Sequence, residues 1–306
     1  MKDAISIGLA AAIVSVERDE PSVLVIARNG EADALPFGPF DPAQHRTLES
    51  GLREWVGEQT HFDLGYTEQL YTFGDKGRQG TKSAGRLVSV GYLALTRQIG
   101  GAAQTSEWRG WYHYFPWEDW REGRPAMIDA AILPALRKFA KEAPNPQLTE
   151  TRRERMRTSF GDGLPWDEEK VLERYELLYE AGLVEEFSRD GGGSGRAALG
   201  TAMLHDHRRI LATAIARLRG KLKYRPVVFE LMAPTFTLLE LQRTVEALAG
   251  LKLHKQNFRR LVSEQGLVEG TGKFSSPARG RPAELFRFRR EVLRERPAPG
   301  LRLGRR

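Results

Sequence analysis

The chain has 306 residues, enough for two domains, and no run approaches the roughly 20 consecutive apolar residues that a membrane helix requires. It contains no cysteine, which excludes disulfides, thiolate zinc sites and cysteine nucleophiles, and a cytoplasmic protein is expected. Residues 1–205 carry 24 Lys and Arg against 31 Asp and Glu, whereas residues 206–306 carry 23 against 9. A basic segment beside an acidic one is typical of a nucleic-acid-binding module joined to another domain, although the tail Arg287–Arg306 supplies eight of the arginines.

The first 115 residues show mainly strand patterns around one helix. The apolar segments Ile5–Val16 and Ser22–Ala27 are predicted to pair across a charged turn. Gln44–Thr60 has apolar residues at helical spacing. Arg86–Thr96 alternates and is rich in β-formers, which predicts a central strand, and Trp108–Phe115 is a further candidate strand.

From about residue 128 the pattern becomes helical. Ile128–Ala140 is predicted as one helix that ends at the breaker-rich Pro144–Pro146, and Asp167–Glu180 as a second that stops near Gly182. Asp190–Gly195 is glycine-rich and has the composition of a flexible linker just before the change in charge sign. We therefore predict an N-terminal domain over 1–140, a helical insertion with its linker over 141–205, and a DNA-binding domain over 206–306.

The C-terminal segment has the pattern of a helix-turn-helix. Asp206–Leu222 is predicted as a helix, and a capping box at Thr237–Glu240 opens another that ends at Gly250. His254–Gln265 follows after a short turn. At about 100° per residue this last helix has one apolar face and one polar face. Phe258, Leu261 and Val262 form the apolar face, whereas Lys255, Gln256, Arg259 and Arg260 form the polar one with Asn257 at its edge.

Two further strands and a basic loop complete a winged helix. Leu267–Glu269 and Glu284–Phe288 are predicted strands, and the loop between them is rich in Gly, Ser, Pro and basic residues. The Lys, Arg, Gln and Asn side chains of the preceding helix and of this loop are of the types that hydrogen-bond base edges and phosphates. A winged helix used for protein contacts is the alternative. We predict DNA contacts for Lys255, Gln256, Asn257, Arg259, Arg260, Lys273, Arg279 and Arg281.

Leu35–Gly38 followed by Arg53–Glu58 resembles the Nudix box, a helical motif whose glutamates hold magnesium. The match is degraded, because Gly57 replaces one glutamate of the final pair and Gln44 or His45 stands where an upstream glutamate belongs. Glu54 and Glu58 remain on one helix face, and two carboxylates bind a hard cation only weakly. A plain solvated helix face is the alternative for both. We therefore expect no enzymatic activity, no catalytic residues and no metal site.

The whole chain resembles the Nudix-related transcriptional regulators of NAD metabolism, the NrtR type, and within them the NadQ-like branch. The resemblance rests on the box, on Phe236–Gln242, His254–Arg260 and Gly280–Ala283, and on the helical segment around Trp117–Asp190. It implies an α+β protein with an N-terminal Nudix-like α/β/α sandwich, a helical connecting segment and a C-terminal winged helix-turn-helix. It further implies a homodimer that represses NAD-biosynthesis genes at a palindromic operator, with ADP-ribose or ATP as effector and no required cofactor. The candidate effector-binding residues are Arg28, Phe37, Arg53, Glu58 and Tyr92.

Other interpretations stay open at this stage. One is an active Nudix hydrolase of ADP-ribose-like substrates with an accessory nucleic-acid-binding domain, and another is a binding module without catalysis or sensing. On a helix, His205 and His207 would face opposite ways, so we do not expect them to form a metal site. Asp206 is expected to cap a helix there instead. The tryptophans and tyrosines of the middle segment are expected as core or interface anchors rather than base-stacking groups: Trp108, Trp111, Trp117, Trp120, Tyr175 and Tyr179.

Overall fold

The computed structural model describes residues 5–27, 31–75, 77–78, 86–97, 106–193, 198–275, 282–295 and 298–301. Its N-terminal part is a mixed sheet with one helix, its middle part is helical, and its C-terminal part holds a helix pair followed by a hairpin. The elements are β1 Ile5–Glu17, β2 Glu20–Ile26, β3 Phe37–Pro39, α1 Leu48–Thr60, β4 Tyr66–Phe73, β5 Arg86–Leu95, β6 Ser106–Gly110, α2 Leu133–Lys141, α3 Pro146–Phe160, α4 Val171–Glu180, α5 Glu185–Arg189, α6 His207–Tyr224, α7 Leu238–Ala249, α8 Lys255–Gln265, β7 Val268–Phe274, β8 Glu284–Phe288 and α9 Val292–Glu295.

The sheet has the order β4-β5-β1-β2-β6, and β3 pairs with β1 off this path. β1 runs parallel to β5 and antiparallel to β2, so the predicted hairpin and central strand are confirmed. The hairpin turn places Arg18 and Asp19 at positive φ. The last predicted strand is wrong in its second half. The chain leaves β6 at Gly110 and forms a 3₁₀ turn over Trp111–His113.

Two helices cover opposite faces of the sheet. Because side chains alternate along a strand, Leu9, Ala11 and Ile13 of β1 join the cluster under α1. Ala10, Ala12 and Val14 belong to the other cluster, which includes the buried stripe of α6. The predicted α/β/α sandwich is thus confirmed. Its second helix layer is α6, which the predicted division at residue 205 assigns to the C-terminal domain. That division stays a prediction, and the packing of α6 favours a boundary after it.

The middle segment contains two helices more than the sequence pattern indicated, α3 and the short α5. Ile128–Ala140 is helical as predicted but begins with a π turn over Ile128–Ile132, and Pro134 follows directly. Proline has no N–H to give to the carbonyl four residues back, and a π turn is one way to accommodate that. Pro146 ends no structure but starts α3. Asn145 caps this helix, and proline is tolerated in a first turn.

The C-terminal part is a winged helix-turn-helix. Thr237 and Glu240 form both hydrogen bonds of the predicted capping box, and Gly250 takes the left-handed conformation at the end of α7. β7 begins at Val268 and extends to Phe274, longer than predicted, and pairs with β8. Phe288 of β8 stacks on Phe229 at 4.3 Å between ring centroids, which fixes the hairpin to the helices. No helix in the described part of the chain is long and apolar enough to cross a membrane.

Candidate nucleic-acid interface and nucleotide site

Helix α8 separates its polar and apolar residues as its sequence predicted. Phe258 and Val262 are buried with 2% and 1% of their surface exposed, and Leu261 is half-buried. The polar side chains all lie exposed. Arg260 makes only a loose contact with Glu264, with 3.9 Å between Nε and Oε1. The exposed set consists of Lys255, Gln256, Asn257, Arg259 and Arg260. The face is therefore available to a polyanion.

The turn between α7 and α8 is held by a local polar network. The Glu246 carboxylate accepts from the backbone N–H of Leu253 at 2.8 Å and from the Gln242 side-chain amide at 2.9 Å. The same amide donates to the Leu253 carbonyl at 2.9 Å. Both side chains are nearly buried. A buried network with its hydrogen bonds satisfied is rigid, so α8 is fixed relative to α7.

The hairpin after α8 contributes one described cation of the predicted wing contacts. Lys273 lies exposed near the end of β7. Across the hairpin, Arg287 is paired with Glu269 at 2.6 Å, so that arginine is already engaged. Arg279 and Arg281 lie outside the described residues. The hairpin and α8 together give the arrangement in which one helix enters a groove and a wing contacts the flanking backbone.

In the Nudix-like domain, β3 is fixed against α1. Gln59 of α1 donates to the Phe37 carbonyl and accepts from the Phe37 N–H, and Trp55 Nε1 donates to the Pro39 carbonyl at 2.8 Å. The Trp55 ring lies so close to Gly38 that a Cβ on that residue would come within 2.2 Å of it. The glycine of the box motif therefore serves close packing of strand and helix.

Arg53 has a structural role in this domain. Its guanidinium donates to the carbonyls of Leu64 and Gly65, to Thr67 Oγ1 at 3.1 Å and to the Glu49 carboxylate. The hydrogen bonds from Arg53 and Thr67 lower the pKa of Glu49. Arg53 thereby ties the segment after α1 back to the helix. An effector contact by this residue would have to share donors that are already in use.

The remaining carboxylates of the box lie on the exposed side of α1. Glu54 and Glu58 are exposed on α1, and Glu54 lies 3.5 Å from Nε2 of the buried His45. A Cβ on Gly57 would meet nothing within 4 Å, so this position opens to solvent. Among the described residues, no three His, Asp or Glu side chains lie together in a way that could hold a metal ion.

The predicted effector residues do not form one described cluster. Tyr92 is buried under α1, where its burial raises its pKa, and its hydroxyl lies 3.3 Å from Gln69 Oε1. Phe37 instead contacts the ring of His207 edge-on, with 4.8 Å between centroids. Glu58 lies exposed on α1, and Arg28 is outside the described residues. Phe37, Arg53 and Glu58 are the described members whose side chains are at least partly open to solvent.

Sequence reasoning missed the role of His207. This buried side chain accepts the backbone N–H of Leu35 at Nδ1, at 3.1 Å, and so connects the start of α6 to the chain before β3. Burial, with His205 and Arg189 nearby, lowers the pKa of His207 to about 3. The expectation that the two histidines face opposite ways is wrong. His205 precedes the helix with φ 48°, and the two rings lie 5.6 Å apart.

Asp206 stands at the N-cap position of α6 but makes no side-chain cap hydrogen bond, contrary to expectation. Its carboxylate lies 3.4 Å from Arg209 Nη1 instead. Burial raises the pKa of Asp206 to about 6, against the opposing effect of Arg209 and Arg78. The acid therefore belongs to a charge cluster at the start of α6 and not to a cap.

The aromatic residues of the middle segment pack inside the protein, as predicted. Trp111, Trp117 and Tyr175 are buried in the main core. Trp120 stacks on Trp166 at 4.2 Å between centroids. Trp108 is half-buried and meets Phe62 edge-on.

The fold and the two surfaces define a class: a Nudix-like α/β/α domain joined through helices to a winged helix-turn-helix. Residues 228–288 match the model of the NrtR DNA-binding winged helix domain. This part of the chain is therefore similar to the DNA-binding domain of NrtR-type regulators.

A curated relative, the ADPR responsive transcriptional repressor NtrR of Acinetobacter baylyi, is 44% identical over 91 residues. That match covers 30% of this chain and 36% of the relative. The crystal structure of Shewanella oneidensis NrtR complexed with a 27mer DNA has 20% identity over 94% of both chains, with a TM-score of 0.53. A MutT/nudix family protein from Enterococcus faecalis has 16% identity over 94% of this chain and 88% of its own, also with a TM-score of 0.53. At these identities the two structures establish the fold.

Proposed function

We propose that this protein is a ligand-responsive transcriptional repressor that binds double-stranded DNA through α8 and the wing. The observation that carries the proposal is the exposed face of Lys255, Gln256, Asn257, Arg259 and Arg260 on a helix whose turn is held by a buried network. Arginine and lysine side chains donate hydrogen bonds to guanine O6 and N7 and to phosphate oxygens, and the side-chain amides of Asn and Gln pair with adenine N6 and N7. The match of residues 228–288 to a DNA-binding domain supports it, as does the DNA complex of a protein with the same fold.

The repressor acts as a homodimer on a palindromic operator. One winged helix covers one half-site, so two-fold symmetry of the protein requires inverted half-sites about one or two helical turns apart. Lys273 and the wing arginines Arg279 and Arg281 contact the flanking backbone. Control of NAD-biosynthesis genes, and hence action in the cytoplasm, follows from the resemblance to NrtR-type regulators.

The Nudix-like domain binds the effector and has lost hydrolysis. A relative is named for its response to ADP-ribose, which supports this nucleotide over ATP. Gly57 leaves the box without one of its glutamates, and the carboxylates that remain on α1 point into solvent. Contacts to the effector come from Phe37, Glu58 and Arg28. Arg53 and Tyr92 contribute less, because the Arg53 donors are already in use and Tyr92 is buried under α1. No separate cofactor is needed for this role.

The test begins with selection of binding sites from a random duplex library by the full-length protein. Two inverted half-sites at fixed spacing are expected, and analytical ultracentrifugation should find two chains per duplex. Calorimetric titration of ADP-ribose, and separately of ATP, then follows with and without the selected duplex. Coupling between two sites is reciprocal, so if the nucleotide controls DNA binding, the protein's affinity for the nucleotide must differ with and without DNA. Absence of any selected sequence contradicts DNA reading, whereas equal affinity in both states contradicts sensing of that nucleotide.

A further inference from the structure

The C-terminal end of α7 is bonded to the N-terminal part of the protein. Tyr112 Oη donates to the Ala247 carbonyl at 2.7 Å, and Arg219 Nε donates to the Leu248 carbonyl at 3.0 Å. The last carbonyls of a helix have no partner within it, so donors from elsewhere must satisfy them when they are buried. Here the partners come from the segment after β6 and from α6. The end of α7 is therefore fixed to the sheet domain by directional bonds.

Arg219 is fully buried and makes further bonds on the sheet side. Its Nη1 donates to Glu118 Oε2 at 2.6 Å and to the Glu168 carbonyl at 3.0 Å. The Glu118 carboxylate is itself fully buried and also accepts two bonds from Arg174, at 2.5 and 2.8 Å. Breaking a buried pair leaves an uncompensated charge, which is strongly unfavourable. This geometry is consequently stiff.

The same network also reaches the end of α3. Arg174 Nη1 donates to the carbonyl of Ser159, in the last turn of that helix, at 3.0 Å. One carboxylate thus joins two guanidinium groups, each placed at the negative end of a helix. Cations are favoured at helix C-termini, and both arginines meet that preference while they share Glu118. Glu118 thus connects the helical segment to α7, beside the direct bonds from Arg219 to the carbonyls of Glu168 and Leu248.

The bonded end of α7 lies directly before the turn to α8. Gly250 accepts from the Trp120 backbone N–H at 2.8 Å. A Cβ at Gly250 would lie 2.5 Å from the Glu118 carbonyl oxygen and 2.8 Å from Arg219 Nη2, so the two parts touch without a gap. The other contacts across this junction are apolar packing, in which Val245 and Leu248 share one core cluster with Val14, and exposed ion pairs such as Asp19 with Arg243, at 3.4 Å. Exposed ion pairs of that kind contribute little.

We propose that Tyr112, Glu118 and Arg219 form an α7 clamp that sets the direction in which α8 is presented. The three are positioning residues, because none lies on the polar face of α8. The clamp acts through α7 and the network of Gln242 and Glu246 that fixes the next turn. Its consequence for operator affinity rests on the proposed function. The orientation of α8 itself does not.

The direct test measures orientation without DNA or nucleotide. Because the chain has no cysteine, Lys138→Cys on α2 and Ser263→Cys on α8 place two nitroxide labels at exposed positions. Electron–electron double resonance on labelled chain diluted into unlabelled chain gives the distance distribution within one molecule. Arg219→Lys keeps the charge beside Glu118 but cannot reach both Glu118 and the Leu248 carbonyl. Tyr112→Phe removes the bond to Ala247 and the longer one, at 3.4 Å, that the hydroxyl accepts from Arg219 Nη2. Each should shift or broaden the distribution.

Asp19→Asn is the matched control. It removes an ion pair across the same junction, and asparagine tolerates the positive φ of 66° at that position. The control should leave the distribution unchanged. For a selected duplex, Tyr112→Phe should lower affinity about 2- to 10-fold, mainly because loss of the bond to Ala247 reduces the population of the competent orientation. Thermal melts establish that each variant is folded.

An unchanged distance distribution in folded Tyr112→Phe and Arg219→Lys overturns the clamp. Should Arg219→Lys not fold, Tyr112→Phe decides alone. A wild-type protein that selects no duplex contradicts the proposed function and leaves the distance measurement to decide the clamp independently.

Discussion

The polar face of α8 gives the sharpest test of DNA reading, because the same helix carries a matched control for folding. Arg259 and Arg260 are exposed, and substitutions at such positions change stability by less than about 0.5 kcal/mol. If one of them reads a base, its replacement by alanine costs about 1–3 kcal/mol of specific affinity, or about 5- to 150-fold. If both hold phosphates, the double alanine lowers the salt slope of log K by about 2.

The folding side of this prediction uses Phe258. This side chain is 2% exposed against the core, and Phe→Ala at such a site costs about 3–5 kcal/mol. That is a large share of the 5–15 kcal/mol that typically stabilises a domain. Phe258→Ala should therefore lose DNA binding by unfolding the winged helix, with a visible change in the melt. The arginine variants should lose binding with an unchanged melt.

Fluorescence anisotropy with a labelled selected duplex, at several salt concentrations, measures affinity and slope together. The charge-matched control is Arg46→Ala with Arg153→Ala, two exposed positions away from α8. It should reproduce wild-type affinity and slope within error. Wild-type affinity and slope for the Arg259/Arg260 double alanine would refute the assignment of this face to DNA.

Three further predictions follow from the remaining sites. The pKa of His207 is about 3 when folded and about 6.5 when unfolded, so the stability from its neutral form is present above pH 6.5 and is lost as the pH falls. Denaturant titration should then show wild type losing about 2 kcal/mol relative to His207→Asn between pH 6.5 and 5, and parallel profiles would contradict this; the opposite trend from Asp206, whose pKa is raised to about 6, cancels in the difference. Gly250→Ala should cost about 2–4 kcal/mol, because its Cβ meets the Glu118 carbonyl at positive φ, whereas Gly266→Ala, whose Cβ meets only the flexible end of an arginine, should cost about 1 kcal/mol in the same melts. Hydrolysis of ADP-ribose with magnesium, followed by chromatography, should be negligible, and turnover near the 1–10³ s⁻¹ typical of enzymes would promote the hydrolase interpretation.

The sequence predicts the elements whose signals are local. The capping box at Thr237 and Glu240 and the terminal Gly250 place α7 within a residue. Helical spacing in α8 separates Phe258 and Val262 from the polar face, because a helix exposes the side opposite its buried stripe whatever the partner. The exposed polar face of α8 follows from periodicity alone.

What the sequence does not predict depends on contacts between distant segments. Arg53 is part of a recognisable motif, yet it bonds carbonyls beyond the end of α1 that no spacing rule reveals. His207 accepts a backbone N–H that lies 172 residues earlier in the chain. The sequence pattern does not show whether Pro146 ends one helix or starts the next, because proline is tolerated just beyond a helix end and also in a first turn. The Asn145 side chain, which accepts from the Leu148 backbone N–H at 2.8 Å, favours the second outcome here.

Part of the positive charge after residue 205 serves ion pairs within the protein and is not available for DNA binding. Six of the 23 Lys and Arg after residue 205 lie in α6, and several of them form ion pairs with acidic residues before residue 206. Arg219 pairs with Glu118, Arg208 with Glu186 at 3.2 Å and Lys221 with Glu68 at 2.5 Å. These pairs neutralise charge within the molecule, so they release no counterions when DNA binds. The salt dependence of binding should therefore come from α8, the wing and the tail, and the cations of α6 should affect how the two halves of the protein hold together.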